Sequence, residues 1–327
     1  MTGQTPCAAC GARDGDVVER HHDRHSGVDY MMRRCRACGL VYADPRRSVG
    51  ADWYAAAIHD EPPLAPEHDC RFRQFFADIP MRIRLLDIGC GEGQFLRLAR
   101  ERGYEGVGFD WDERRVARAR AAGLDASAAD WEGFLASRRD GEFGAITLFD
   151  VLEHAPEPAA LLRGLRRVLA PGGYLAITVP NEDRPLPFGR EHYDSPPHHF
   201  TRWTRAAMRL FLEGADFVVQ RQDASIHEIS RLRDVMVLQL AIEPAARLAR
   251  RVLYGPRAQS GASLSELARS TPESPVVRSR VRAILFSAYS GAARLVLWPA
   301  AAAAASWYRR TRPDCGDCLY TFARRDG

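Results

Sequence analysis

Residues 84–95 read Arg-Leu-Leu-Asp-Ile-Gly-Cys-Gly-Glu-Gly-Gln-Phe, and few folds accommodate such a run. Leu85, Leu86 and Ile88 form the short apolar stretch of a buried parallel strand. Gly89, Gly91 and Gly93 then let the backbone turn tightly and approach a ligand where a Cβ would collide. Phe95, Leu96, Leu98 and Ala99 recur at helical spacing until Gly103 ends the helix. Strand, glycine loop and helix together make a nucleotide-type binding crevice.

The spacing is G-x-G-x-G, with Gln94 where a dinucleotide fingerprint would place glycine or alanine. Asp87 and Glu92 flank the loop, and carboxylates there repel a pyrophosphate. They suit a ligand carrying an ammonium and a sulfonium, which points to S-adenosylmethionine (SAM). A second strand at 106–109 ends at Asp110, 21 residues after Gly89 (110 − 89), where a carboxylate can take both ribose hydroxyls. A helix at 112–122 and a weak strand at 124–128 lead to Asp130-Trp131, placed to meet an adenine edge and face. A fourth strand at 144–149 runs into Asp150-Val-Leu-Glu-His154, and a Pro171-Gly-Gly turn precedes an apolar strand at 174–179. Strands alternating with helices at this spacing predict an α/β fold with a doubly wound, mostly parallel sheet of seven strands.

With these pieces in order, the chain resembles the class I SAM-dependent methyltransferases. The matching motifs are Leu-Asp-Ile-Gly-Cys-Gly-Glu-Gly, Gly-Phe-Asp110, Phe-Asp-Val-Leu-Glu-His154 and Leu-Arg-Arg-Val-Leu-Ala-Pro-Gly-Gly-Tyr, within residues 82–222. The resemblance implies that Asp87, Gly89, Gly91, Asp110 and Asp130 contact the cofactor. Their neighbours Cys90, Gln94, Trp111, Trp131, Phe149 and Asp150 complete the expected cofactor-side set.

Two further signals bracket this core. Cys7-x-x-Cys10-Gly and Cys35-x-x-Cys38-Gly put four thiolates in reach of a tetrahedron, the closed geometry of structural zinc. The 24 residues between Cys10 and Cys35 fit an extended hairpin. So short a segment cannot bury enough core without such a staple. His21, His22 and His25 in the intervening loop read as solvated. Cys-Arg-Ala-Cys-Gly-Leu-Val-Tyr-Ala-Asp-Pro resembles the N-terminal zinc ribbon of bacterial small-molecule methyltransferases, some of which methylate nucleotide sugars at carbon. Some ribosomal-RNA methyltransferases also carry an N-terminal zinc module, which makes RNA the rival substrate. The net charge of +4, carried on the basic side wholly by arginine, gives no clear nucleic-acid signal. The Asn/Asp-Pro-Pro-aromatic loop of base-amino methylation is absent after the fourth strand.

Past the fifth strand, residues 181–204 contain His192-Tyr193 and Pro196-Pro-His198-His199-Phe200-Thr201. A long loop beyond a strand's carboxyl end is where acceptor-side residues belong, and neutral histidine is poised as a base near pH 7. His199-Phe-Thr is similar to the pattern of sugar C-methyltransferases, which implies His199 as base, with His198 and His154 as the other candidates. Phe200-Thr201 reads as a helix approach, ahead of a helix from Thr204. Asp150-x-x-Glu153-His154 is similar to the E-x-x-E-H of ubiquinone-type O-methyltransferases, where it can hold a divalent cation. Polar lining of the pocket rim is the favoured reading here.

The expected organisation is a zinc ribbon at 1–48, connecting or lid helices with Trp53 and Tyr54 at 49–80, the SAM-binding core at 81–224, a helical insertion at 225–312 and the last strand at 313–327. Within the insertion, helices are expected at 229–253 and 276–308 around a linker at 254–275. Basic flanks with Trp298, Trp307 and Tyr308 fit an interfacial helix making peripheral membrane contact, and at least as well a dimer helix or a packed helical hairpin. Arg294 and Pro299 interrupt any spanning stretch. Residues 1–20 lack the apolar segment of a secretory leader, and eight cysteines in 327 residues do not make a disulfide scaffold, so a cytoplasmic location is expected. Cys315 and Cys318 read as incidental. The leading function is SAM-dependent methyl transfer to an oxygen or carbon of a small-molecule acceptor such as a sugar, a lipid-linked compound or a natural product. The rivals are an RNA methyltransferase and a SAM-fold binding protein without turnover.

Overall fold

The computed structural model describes residues 5–23, 26–47, 67, 69–79, 82–184, 194–224, 236–237, 240 and 275–327, with side chains undescribed over 275–290. These divide between two compact units, the larger formed by 1–184, 192–226 and 314–327 and the smaller by 185–191 and 227–313.

In the larger unit, β4 (Arg84–Ile88), β7 (Phe143–Phe149) and β8 (Leu169–Pro180) are near-continuous apolar runs, as strands covered on both faces must be. They join β5 (Glu105–Asp110), β6 (Asp125–Ala128), β10 (Phe217–Asp223) and β11 (Cys318–Arg325) in one sheet of order β10-β11-β8-β7-β4-β5-β6. The inner strands are parallel, and β11 enters between β8 and β10 antiparallel to both. Chain order reverses direction at β4, flanked by β5 and β7, so the crevice opens at the carboxyl end of β4.

Helices α1 (Cys70–Asp78), α2 (Gln94–Glu101), α3 (Glu113–Ala121), α4 (Trp131–Ala136), α5 (Pro158–Val168) and α6 (Arg205–Glu213) cover the sheet. α2 buries Phe95, Leu96, Leu98 and Ala99, the residues whose helical spacing was visible in the sequence. On the same face, Phe72 and Phe75 of α1 pack against Phe95 and Phe149 with ring centroids 5.1 to 6.5 Å apart, fixing α1 over the glycine loop.

A second, four-stranded sheet carries the cysteines. β1 (Gly15–Asp23) and β2 (Val28–Cys35) form the expected hairpin, β3 (Val41–Asp44) adds to β2, and β9 (Thr201–Arg202) adds to β3. That last pairing corrects the sequence reading of Phe200-Thr201 as a helix approach. The segment is extended and hydrogen-bonded to β3, and the helix begins only at Arg205, with the Thr204 side chain accepting from the Ala207 amide as N-cap. A second correction concerns Pro171-Gly-Gly. β8 already starts at Leu169, Phe143 pairs with Leu169 while Ala145 pairs with Tyr174, and the glycines lie in the bulge this shift creates.

In the smaller unit, α7 (Pro275–Thr311) exposes Leu295, Val296, Trp298 and Trp307. Among the described residues no helix is long and apolar enough to cross a membrane. Apart from 236, 237 and 240, the expected helix at 229–253 falls outside the described residues, as do residues 254–274 of the expected linker, the lid residues Trp53 and Tyr54, and His25, His192 and Tyr193.

Candidate active site

The glycine loop is built by conformation and clearance. Gly89 has φ +77°, and a Cβ on it would collide with a Val151 methyl. Gly91 has φ +53°, and none of the described residues lies within 4 Å of the position its Cβ would take, so they leave space above the loop there. The Gly91 amide donates to Asp110 Oδ2 at 2.8 Å, and the Asp112 amide donates to Asp110 Oδ1 at 2.8 Å. A carboxylate offers about four lone-pair sites, so Asp110 keeps acceptor capacity for ligand hydroxyls.

Asp87, at the end of β4, is 3% exposed and accepts from Thr147 Oγ1 at 2.7 Å. Burial pushes its pKa up to about 7, with the Thr147 hydrogen bond opposing and the Asp110 charge reinforcing the shift. Cys90 is buried, with its sulfur against Gly108 on β5. Gln94 opens α2 half-buried, and Trp111 is half-exposed with its ring edge on Phe109. Asp130 is an exposed N-cap of α4, accepting from the Gly133 amide at 2.5 Å, and Trp131 is partly buried against the core. The backbone at Asp150 takes φ +56°, a left-handed conformation that Asp tolerates better than most residues and that collects at functional sites.

Asp150 leads to a residue that the sequence reading missed. Arg71, from the first turn of α1, pairs with Asp150 and also with Asp69, the N-cap of its own helix. The pair to Asp150 spans 79 positions, and no local motif marks an arginine for that place. Asp87, Asp110 and Arg71 thus set two carboxylates and one guanidinium around the loop.

In the segments that follow β7 and β8, His154, His198 and His199 converge. Their ring centroids are 4.5, 4.7 and 4.5 Å apart, and their ligand atoms lie within 4.8 Å of one another. His154 Nδ1 lies 2.8 Å from the His198 carbonyl, which fixes Nδ1 as the donor and leaves Nε2 with the lone pair. His199 is buried, with Nδ1 3.5 Å from a carboxylate oxygen of Asp194, a second residue that the sequence reading missed. Asp194 is itself buried and paired with Arg184. Burial lowers the pKa of His199, against a raising contribution from Asp194, and burial together with the other two rings lowers His154 well below the ordinary value. Both rings are therefore neutral at pH 7. Next to them Glu153 is buried, its Oε2 has no hydrogen-bond partner among the described residues, and burial followed by the Asp150 charge raises its pKa well above the usual range. A Glu153 whose charged form burial disfavours and an Asp150 engaged by Arg71 suit polar lining better than an acidic cation site.

The four cysteines lie together at one end of the small sheet. Cys7 and Cys38 sulfurs are 3.5 Å apart, as are those of Cys10 and Cys35, and all four atoms lie within 4.8 Å of one another. Tetrahedral zinc with Zn–S near 2.3 Å requires sulfurs about 3.8 Å apart, so the cluster is preformed for it. Gly11 and Gly39, both at positive φ, turn their amides back to the Cys7 and Cys35 carbonyls. The hydrogen bond between Cys7 and Cys38 lowers the Cys7 pKa and raises that of Cys38, so the two thiols compete for one proton.

A family model described as a methyltransferase domain matches residues 65–222. The chain is similar to the ubiquinone biosynthesis O-methyltransferase of Xanthomonas oryzae pv. oryzae, 30% identical over 183 residues, spanning 49% of this chain and 76% of the relative. It is also similar to the protein of that description from Pseudomonas aeruginosa, 32% identical over 105 residues, spanning 31% of this chain and 45% of the relative. Among solved structures, a SAM dependent methyltransferase from Archaeoglobus fulgidus aligns with TM-score 0.47 at 18% identity, covering 78% of this chain and 91% of that one.

Proposed function

We propose that this chain, which belongs to the class I SAM-dependent methyltransferases, methylates an oxygen or carbon of a small-molecule acceptor, with His199 removing the acceptor's proton. The observation that carries the reading is the buried His199–Asp194 pair within the histidine cluster, beyond the carboxyl ends of the strands that frame the glycine loop. Oxygen is favoured over carbon because the relatives at 30% and 32% identity are named O-methyltransferases.

When bound, SAM supplies an electrophilic methyl group on a sulfonium centre. The charged groups fit such a ligand: Asp110 suits the ribose hydroxyls, Asp87 the ammonium and Arg71 the carboxylate, while the space above Gly91 admits the chain of the ligand. Asp194 holds the His199 ring so that Nδ1 carries the proton and Nε2 presents its lone pair. With SAM bound, Nε2 would take the acceptor's proton as the acceptor displaces the thioether leaving group from the methyl carbon, and His154 and His198 line the same cluster. Alignment of the acceptor and removal of its proton are the protein's contributions to rate. The test is transfer of labelled methyl from SAM into the small-molecule fraction of a cell extract, abolished by loss of the cofactor site.

A pH dependence follows for cofactor binding. A bound ammonium favours the Asp87 carboxylate, so Asp87 titrates lower in the complex than its value of about 7 without ligand, and binding releases a proton. SAM affinity should therefore weaken by up to about tenfold per unit as pH falls below about 7, and level off above it. Calorimetry across that range checks this, with Asp87→Asn flattening the curve. An affinity independent of pH would contradict it.

Zinc belongs to the same reading, held by Cys7, Cys10, Cys35 and Cys38 in a closed structural site. Purified protein should contain about one zinc per chain, lowered by Cys7→Ser or Cys35→Ser, since one tetrahedral thiolate set holds one ion. Metal-free protein with an equally stable N-terminal sheet would contradict this.

A further inference from the structure

We infer that the four-cysteine module is the positioning element of the acceptor-side histidines, acting through Glu19 and Phe200. The inference rests on the methyl-transfer reading for what the histidines do, but not for how they are held. The module ends in β3, which begins three residues after Cys38, so a metal at the cysteine knuckles fixes the start of that strand. β3 is the strand to which the histidine segment is bonded. Val41 pairs with Arg202 and Tyr42 with Thr201, and the Ala43 amide donates to the Phe200 carbonyl at 2.8 Å.

Phe200 directly follows His199 and is fully buried in a cluster with Tyr30, Met32, Val41 and Ala43, all from the cysteine-bearing sheet. Its amide points the other way and donates to the Glu153 carbonyl at 2.8 Å, next to His154. One residue therefore joins the module's core to both histidine-bearing turns.

A second connection runs through side chains. Glu19 of β1 accepts from Arg202 Nη1 at 2.8 Å and from Ser195 Oγ at 3.4 Å. Arg202, buried, donates from Nε to the Asp194 carbonyl at 2.9 Å. Asp194 in turn orients His199. The order is Glu19, Arg202, Asp194, His199, and its first member stands on the module. Charged hydrogen bonds that are partly or wholly buried hold geometry tightly, and a misplacement of about 1 Å at a reacting group can cost about a hundredfold in rate. The module's β3 edge, which in an isolated ribbon would be open to an outside partner, is already occupied by β9.

The experiment uses the full chain in four forms: zinc-loaded wild type, wild type stripped by a chelator, Glu19→Ala and Glu19→Gln. Hydrogen exchange is read over 194–203 and over the glycine loop, SAM affinity by calorimetry, and labelled methyl transfer with extract small molecules as acceptor. Stripping zinc and Glu19→Ala should both speed exchange over 194–203 and leave the glycine loop protected, with SAM affinity within about twofold and transfer down about ten- to a hundredfold. Glu19→Gln, whose amide oxygen still accepts from Arg202 Nη1 while its NH2 can donate to Ser195 Oγ, should recover most of the loss. Unchanged exchange over 194–203 overturns the proposal. So does acceleration across the whole larger unit with SAM affinity falling in step, which would mark the module as a general stabiliser. If SAM does not bind even to the zinc-loaded wild type, the functional reading fails, while the exchange comparison still decides the positioning role.

Discussion

His199→Ala should lower turnover by about two to four orders of magnitude while SAM affinity stays nearly constant. The side chain is buried with Nδ1 3.5 Å from Asp194, and the proposed cofactor anchors are other residues, so its loss should remove proton transfer while leaving Asp87, Asp110 and Arg71 in place. Its depressed pKa fixes the sign of the pH profile. The ring is unprotonated down to below the ordinary histidine value, so the acid limb of turnover should have its midpoint below about 6.5. Asp194→Asn removes the contribution that raises that pKa and should move the limb lower still, with a large fall in rate from the lost tautomer control. A purely structural histidine would behave otherwise, and activity would follow the unfolded fraction in thermal melts. A folded, SAM-binding His199→Ala protein with near-normal turnover would shift the role to His198 or His154.

Asp110→Ala should weaken SAM binding by about a hundredfold or more. Asp110 accepts two backbone amides that shape the loop, and it is the carboxylate best placed for a diol. Hydrogen bonds to a charged group are worth about 1.5–3 kcal/mol each, and losing two of them accounts for the fall. Asp110→Asn, which can still accept from the Gly91 amide, should lose less. Wild-type affinity should lie in the micromolar range usual for enzymes, with no appreciable NAD binding, because Asp87 and Glu92 repel a pyrophosphate. Calorimetry with both ligands decides this, and tighter binding of NAD would overturn the assignment of the crevice.

The features legible in the sequence were those written in local spacing. The glycine loop, the helical stripe of Phe95, Leu96, Leu98 and Ala99, the paired cysteine knuckles with their hairpin, and the return of β11 after a long insertion all depend on neighbours within a few positions or on apolar period. Asp194 and Arg71 depend on folding. Arg71 reaches Asp150 only because phenylalanines 72 and 75 seat α1 over the loop, and Asp194 meets His199 across a loop whose intervening prolines carry no periodic signal. β9 is two residues long, too short for alternation to show, and its partner lies some 160 residues earlier in the chain (Thr201 to Tyr42, 201 − 42 = 159). The glycines at 172 and 173 signalled a turn by composition alone, and only the pairing register showed a bulge. Arg71 and β9 each join the site to a distant segment, and Asp194 and the bulge show only in side-chain contact and pairing register, so three-dimensional contacts were needed to find them.

The measurement that bears most directly on the central claim is transfer of labelled methyl from SAM by the zinc-loaded full chain, with the products of a cell extract separated into small-molecule and RNA fractions. The account predicts label in the small-molecule fraction, lost in Asp110→Ala through failed SAM binding and in His199→Ala despite retained binding. Label confined to RNA, or no transfer by protein that binds SAM, would contradict it.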